Sequence, residues 1–267
     1  MKKRSYFLMI TGFAGFFFLY APIVSLVIYS FNKSKLVTVW GGFSTKWYGE
    51  LFRDPQILDA AWLSVKVAFT SATIAIFIGT LAAFVLTRFT KFRVKTLLSA
   101  MITAPLVMPE VIIGLSLLLL FVALQGLTGW PGQRGVMTII IAHATFGAAY
   151  SAVVIQSRLT DMDLSLEEAA QDLGARPVQV FFDVTLPVIA PALVSGWLLA
   201  FTLSLDDLVV ASFVSGPGAS TLPMVIFSKV RLGVSPDVNA LATIIILIVS
   251  IGIAAAAINM QRANTRR

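Results

Sequence analysis

The sequence predicts an all-α membrane protein with six membrane-crossing helices. Three observations carry this reading. Of the 267 residues, 58% are hydrophobic and only 12% charged, a balance far from that of a soluble domain. Apolar runs long enough to cross a bilayer recur along the chain. The basic residues gather at the ends of those runs. The mean hydropathy of +0.89 agrees. With no cysteine, disulfides, thiolate metal sites and thiol nucleophiles are excluded. A pI near 9.9 would by itself suit nucleic acid, but these cations mark span ends, so no nucleic-acid partner is expected.

Lys2, Lys3 and Arg4 precede an apolar run over 6–29. It is longer than a signal-peptide core and lacks a clear small-residue cleavage site, so it reads as a retained first span. Residues 31–60, with Trp40, Trp47 and Tyr48, read as an outer loop with aromatics at the interface. The second span is placed at 64–86, with Lys66 near its outer end reaching the headgroups. Arg88, Lys91, Arg93 and Lys95 then mark the inner side. A third span at 97–124 is interrupted by Pro105 and Pro109, and a fourth runs over 136–155. A polar loop over 156–187 follows. The fifth span starts at 188. It ends either at 205, ahead of Asp206 and Asp207 and a re-entrant piece, or at 214, with both acids inside the membrane. Residues 222–230 read as a short outer helix, and the sixth span lies at 238–258, ahead of Arg262, Arg266 and Arg267. This layout puts twelve Lys and Arg inside and seven outside, which sets both termini in the cytoplasm. The pattern T-x-P-x3-P at Thr103–Pro109 and at Thr185–Pro191 predicts similarly broken first turns in spans three and five.

The polar loop carries the most specific local signals. Ser165-Leu166-Glu167-Glu168 has the S-x-x-E form of a capping box, with Glu168 reaching back to the backbone of Ser165. Leu166, Ala169, Ala170 and Leu173 then fall on one small apolar face. Gly174 ends the helix, because a left-handed residue costs glycine little. Pro177 suits the first turn of a second helix with a bulkier apolar surface, and Pro187 breaks the chain again. The loop holds two basic residues against Asp161, Asp163, Glu167, Glu168, Asp172 and Asp183. An acidic loop facing the cytosol suits a protein partner better than lipid headgroups.

Three acids are candidates for a polar path. Glu110 comes 13 residues after Leu97, which places it roughly 20 Å along its helix, near mid-membrane. A carboxylate at that depth faces a cavity or a partner; the alternative pairs it with Lys66 or with another subunit's cation. Asp206 and Asp207 line or gate the path, or else end a helix at the interface or pair with Arg231. His143 reads as a hydrogen-bonded structural residue, since no acid or second histidine lies near it in sequence. There is no G-x4-G-K-[ST], no G-x-S-x-G and no H-E-x-x-H, so the chain is read as no enzyme and without ATP hydrolysis of its own.

The run E-A-A-x3-G-x9-V-x-L-P, from Glu168, Ala169 and Ala170 through Gly174 to Leu186 and Pro187, resembles the cytoplasmic coupling loop of ATP-binding-cassette (ABC) importer permeases. That family usually has Ile where Val184 stands. The likeness extends through Phe18–Pro22, 30–37, Thr103–Glu110 and Leu203–Gly218, which resemble the inner-membrane permeases of bacterial polyamine importers, those for putrescine above all. Glu110 departs from the aspartate of the putrescine relative. The resemblance implies one type I importer permease domain over 1–267, a second homologous permease, and two ATPase subunits that bind ATP and Mg, this chain holding no cofactor. It also implies a periplasmic polyamine-binding protein and a place in the bacterial inner membrane. Polyamine movement by alternating access is the function implied. A permease for another small solute, a secondary transporter and a non-transport membrane anchor are the alternatives.

Overall fold

The computed structural model describes residues 6–36, 39–89, 93–233 and 236–265, with side chains as far as Gly252 apart from Phe7. Of the residues singled out above, Lys2, Lys3, Arg4, Val37, Lys91, Arg266 and Arg267 lie outside the described residues. The described chain is helical, with one isolated antiparallel bridge between Asn32 and Phe43. Among the described residues five helices are long and apolar enough to cross a membrane. A further helix, Pro236–Thr265, is apolar over Pro236–Gly252 and supplies the sixth span. Two compact units are present. One runs from Asp59 to Val225, and the other joins the residues up to Leu58 with those from Ile226 onward.

The unit from Asp59 to Val225 is built around one helix, Val136–Thr160. Numbered in chain order from the N-terminus, the helices are α1 (Tyr6–Tyr29), α2 (Lys46–Leu51), α3 (Pro55–Arg88), α4 (Lys95–Val107), α5 (Glu110–Thr128) and α6 (Val136–Thr160). They continue with α7 (Ser165–Asp172), α8 (Pro177–Val180), α9 (Leu186–Asp206), α10 (Val209–Val214), α11 (Leu222–Leu232) and α12 (Pro236–Thr265). Composition explains the central place of α6. Its buried Ala142, Ala144, Gly147, Ala148, Ala149 and Ala152 let neighbouring backbones come close. A Cβ at Gly79 of α3 would stand 2.9 Å from the Ala152 nitrogen and 3.0 Å from the Ala148 oxygen. α9 runs antiparallel to α6: Arg158 donates to the Val188 carbonyl at 3.4 Å, Ser151 to the Gly196 carbonyl at 3.3 Å, and His143 meets Ser204 at 2.6 Å. Apolar layers fill the contacts, from Val67, Ile139 and Phe146 at one end to Ala83, Ile155, Leu159 and Ile189 at the other.

Several expected elements take a different form. α3 begins at Pro55, well before residue 64, because Asp54 Oδ1 accepts the Gln56 and Ile57 amides at 2.9 and 3.4 Å while proline occupies the first helical position. The third span is two helices. Pro105 stays inside α4, whereas Met108, with ψ 138°, is extended ahead of Pro109 and separates α4 from α5. Spans three and five therefore do not share a broken first turn: α9 passes through Pro191 without interruption. Nor does Pro187 break the chain. A π-helical turn, Phe181–Thr185, joins α8 to α9, and the Leu186 amide bonds to the Phe181 carbonyl five residues back. That wider turn takes up the register change a proline without an N–H would otherwise force as a kink.

The fifth span also resolves its two options. α9 ends at Asp206, Asp207 is extended with ψ 124°, and α10 follows. The chain nevertheless keeps its course beside α6, since Thr138 Oγ1 donates to the Val214 carbonyl at 2.7 Å. Span five is thus a broken helix that reaches residue 214, and both acids sit at the break, alongside α6 rather than beyond it. After α10 the chain turns sharply at Gly216, where a Cβ would collide with the Arg134 carbonyl oxygen.

The other unit holds α1, α2 and α12. α1 is apolar on every side, with Phe13 74% and Phe18 78% exposed, as suits a helix surrounded by lipid. The loop after it is folded around the buried Asn32. Its Oδ1 accepts the Ser34 and Gly41 amides at 3.1 and 2.8 Å, its Nδ2 donates to the Val39 carbonyl at 2.8 Å, and its own carbonyl accepts Trp47 Nε1 at 2.6 Å. Lys229 bridges Asp54 at 2.8 Å and Asp237 at 2.9 Å. The Lys229 bond holds the Asp54 carboxyl below the usual carboxylate range. Burial alone would lower Lys229, but its bonds to Asp54 and Asp237 outweigh that and hold it above its ordinary value.

The signs of these shifts fix a pH window. Asp54 stabilises the fold above about pH 4 and loses that contribution as pH falls through its lowered value. Lys229 contributes fully below about pH 10 and loses it as pH rises through its raised value. A Lys229→Gln variant is expected to unfold more readily than the parent between those limits, by about 1 kcal/mol, and to match it in strong acid. Thermal unfolding in detergent at about pH 2 and at pH 7 checks this; a deficit of equal size at both would contradict it.

Candidate functional site

The helix break brings the three predicted path acids to one cleft. Glu110, Asp206 and Asp207 line a cavity of ≈ 430 Å³ together with Phe146, Tyr150 and Met108, and among the described residues no basic one lines it. Glu110 is the first residue of α5, where the positive end of the helix dipole favours its carboxylate. Its side chain is exposed, as is that of Asp206 in the last turn of α9. The end of α9 adds the negative pole of its own dipole. Lys66, the alternative partner for Glu110, instead holds its ammonium 5.0 Å from the Trp62 ring centre. Likewise Arg231 stacks on Phe227 at 5.4 Å.

Adjacent Asp206 and Asp207 have different surroundings. Asp207 is buried and fully engaged: Oδ1 accepts the Val210 amide at 3.2 Å, and Oδ2 accepts the Ala211 amide at 2.7 Å and faces His143 Nε2 at 3.1 Å. It caps α10 from the helix break. The rest of the chain of bonds assigns the histidine proton. Both Asp207 oxygens accept backbone amides, so Nε2–H donates to Asp207, and in a neutral ring Nδ1 is left to accept from Ser204 at 2.6 Å, with the Ser71 hydroxyl 3.0 Å from Ser204 and 3.2 Å from the Ala68 carbonyl. His143 is therefore hydrogen-bonded and buried, and its partner is an acid that lies 64 residues away in sequence. Only the antiparallel register of α6 and α9 brings the two together.

The second candidate site is the hairpin of α7 and α8. The predicted capping box is not made. The Ser165 amide is taken by Asp163 Oδ1 at 2.9 Å, α7 carries no side-chain cap bond, and Glu168 is exposed. Bonding to Ser165 holds the exposed Asp163 carboxyl below its usual range. The end of the helix is built as expected around Gly174, whose φ is +89°. The Gly174 amide bonds to the Gln171 carbonyl at 2.8 Å and the Ala175 amide to the Ala170 carbonyl at 3.1 Å, a paired closure that needs a left-handed residue between them. Ala169 is exposed, Ala170 half-buried, and Leu173 is 90% exposed at the tip; Leu186 and Pro187 start α9 behind it. With Leu166, Val178 and Phe182 also exposed among the acids, the hairpin shows an apolar and acidic face.

Sequence reasoning missed Glu167. Its Oε1 takes Arg88 Nη2 at 2.8 Å and Thr185 Oγ1 at 2.6 Å, so it ties α7 to α3 and to the π turn. Glu168 and Glu167 look alike in the sequence, and only the packing separates them. Among the described residues no group of three His, Cys, Asp or Glu could hold a metal ion.

Residues 75–267 match the family described as "Binding-protein-dependent transport system inner membrane component". The chain is 65% identical over 232 residues to the putrescine transport system permease protein PotI of Escherichia coli strain K12, which covers 87% of this chain and 83% of the relative. It is 44% identical over 236 residues to the spermidine/putrescine transport system permease protein PotC of Haemophilus influenzae, covering 88% and 89%. A bacterial alginate ABC transporter, solved in complex with a pentasaccharide-bound periplasmic protein, matches with a TM-score of 0.70 at 17% identity, over 96% of this chain and 93% of that one. This six-span chain, helical over nearly all its described residues, has the fold of type I ABC importer permeases and belongs to the family of inner membrane components of binding-protein-dependent transport systems.

Proposed function

We propose that this chain moves polyamines, putrescine foremost, across the bacterial inner membrane as one of two homologous permease subunits, with both termini in the cytoplasm. Two ATPase subunits bind ATP and Mg, and a periplasmic protein delivers the amine. The observation that carries the substrate is the cleft in which Glu110 and Asp206 stand exposed against Phe146 and Tyr150, with no basic residue among the described ones that line it. A diamine is a dication on an apolar linker. Stripping its water is costly unless carboxylates take the ammonium groups and apolar or aromatic walls take the methylenes. The names of the two relatives point to the same amines.

The exposed hairpin is the docking element for the ATPase, in the reading its Glu168–Pro187 pattern suggests. ATP binding closes the ATPase pair, the hairpin moves with it, the membrane helices rearrange and the cleft changes sides. A secondary transporter would leave this acidic, apolar-tipped hairpin without a role. Glu168→Ala and Gly174→Asp are expected to leave the chain in the membrane while lowering uptake per ATP hydrolysed, Gly174→Asp the more strongly because its backbone is left-handed. Reconstitution with the ATPase and binding protein tests both parts. Hydrolysis should rise with putrescine-loaded binding protein; a rise with some other solute and none with putrescine would overturn the substrate, and wild-type coupling in both variants would overturn the docking.

A further inference from the structure

We propose that the Arg88–Glu167 ion pair is the contact that makes α3 follow the docking hairpin, so that span two as well as span five receives the movement of the ATPase. This rests on the docking reading above. The hairpin is continuous with α6 through 161–164 and with α9 through α8 and the π turn, but no stretch of backbone leads from it directly to α3. Arg88, the last residue of α3, closes that gap. Its Nη2 meets Glu167 Oε1 at 2.8 Å and Met162 Sδ at 3.9 Å, and its Nη1 reaches the Leu159 carbonyl at 3.5 Å. The same Glu167 oxygen accepts the buried Thr185 hydroxyl at 2.6 Å. The Arg88–Glu167 pair thus joins the end of α3, the end of α6, the docking helix and the π turn that opens α9.

The surroundings make this pair more than a surface contact. The two side chains are only 14% and 12% exposed, so the pair is poorly screened and charge-assisted. Among the described residues Arg88 Nε is buried without a hydrogen-bond partner, and Glu167 is the acid that pairs with the guanidinium. α7 has no buried residue. Apart from the half-buried Ala170, Glu167 is therefore the residue through which α7 is fastened to the membrane helices. A contact of this kind transmits displacement in both directions, because losing it strands a charge on each side.

The chain has no cysteine, which allows a covalent substitute for the pair. In the complete importer, reconstituted in proteoliposomes, an Arg88→Cys and Glu167→Cys double variant with free thiols is expected to keep the ATPase bound and hydrolysing, while uptake per ATP falls about tenfold. Joining the two thiols with a short bifunctional reagent should restore most of that loss, since the tie replaces the ion pair. Two results would overturn the proposal: wild-type coupling with free thiols, or transport arrested by the cross-link. The docking reading fails separately, if Gly174→Asp couples normally; the pair alone fails if Gly174→Asp uncouples and the double variant does not.

Discussion

An Asp206→Asn variant is expected to import putrescine roughly ten- to a hundredfold more slowly, with the complex still assembled. The size follows from one charge-assisted hydrogen bond to an ammonium group, about 1.5–3 kcal/mol. Asp206 is exposed in the cleft at the negative end of α9, and asparagine keeps its shape while removing the charge. Glu110→Gln should act in the same direction, and the pair together should lose more than either alone, because both face the same cleft. Uptake by proteoliposomes at several putrescine concentrations checks this. Assembly lost with uptake would indicate that Asp206 holds the fold rather than the substrate.

His143→Leu should instead act through stability, at a cost of about 3 kcal/mol. Leaving a buried hydrogen-bonding group without its partner costs about 1–3 kcal/mol. The high end applies because two such bonds are lost at once, although Asp207 keeps its two backbone amides. Leucine removes both the Nε2–H that serves Asp207 and the Nδ1 acceptor that serves Ser204, within a side chain 0% exposed. The expected result is earlier thermal unfolding in detergent and poorer yield. His143→Asn, which retains a donor and an acceptor, should recover part of the loss. Equal stability of the leucine variant and the parent would mean that the network does not hold the break between α9 and α10.

The parts of this fold that were legible in the sequence are those written in consecutive residues. Apolar length located the long helices, though not the start of α3 at Pro55 or the break at Met108, and the end of α7 followed from Gly174, because a left-handed closure leaves few other choices. The acids were legible as well, since charge inside a span is rare enough to notice. What escaped depends on pairing between distant segments. Asp206 and Asp207 are adjacent, yet one faces the cleft and the other caps α10 against His143, a distinction set by the register of α6 beside α9. Glu168 was assigned the Ser165 amide that Asp163 takes, and the residue fastened to the membrane helices is Glu167. Pro187 is a breaker by propensity, and a wider turn ahead of it absorbs the cost.

The most direct measurement is uptake of labelled putrescine in cells lacking this chain and any redundant amine importer, before and after the chain is restored, with unlabelled spermidine as competitor. Restoration of ATP-dependent putrescine uptake by the parent, but not by the Glu110→Gln and Asp206→Asn double variant, is the predicted result, and the competition ranks the two amines. Uptake that is the same with and without the chain, or that the double variant restores in full, would contradict a polyamine path through this cleft.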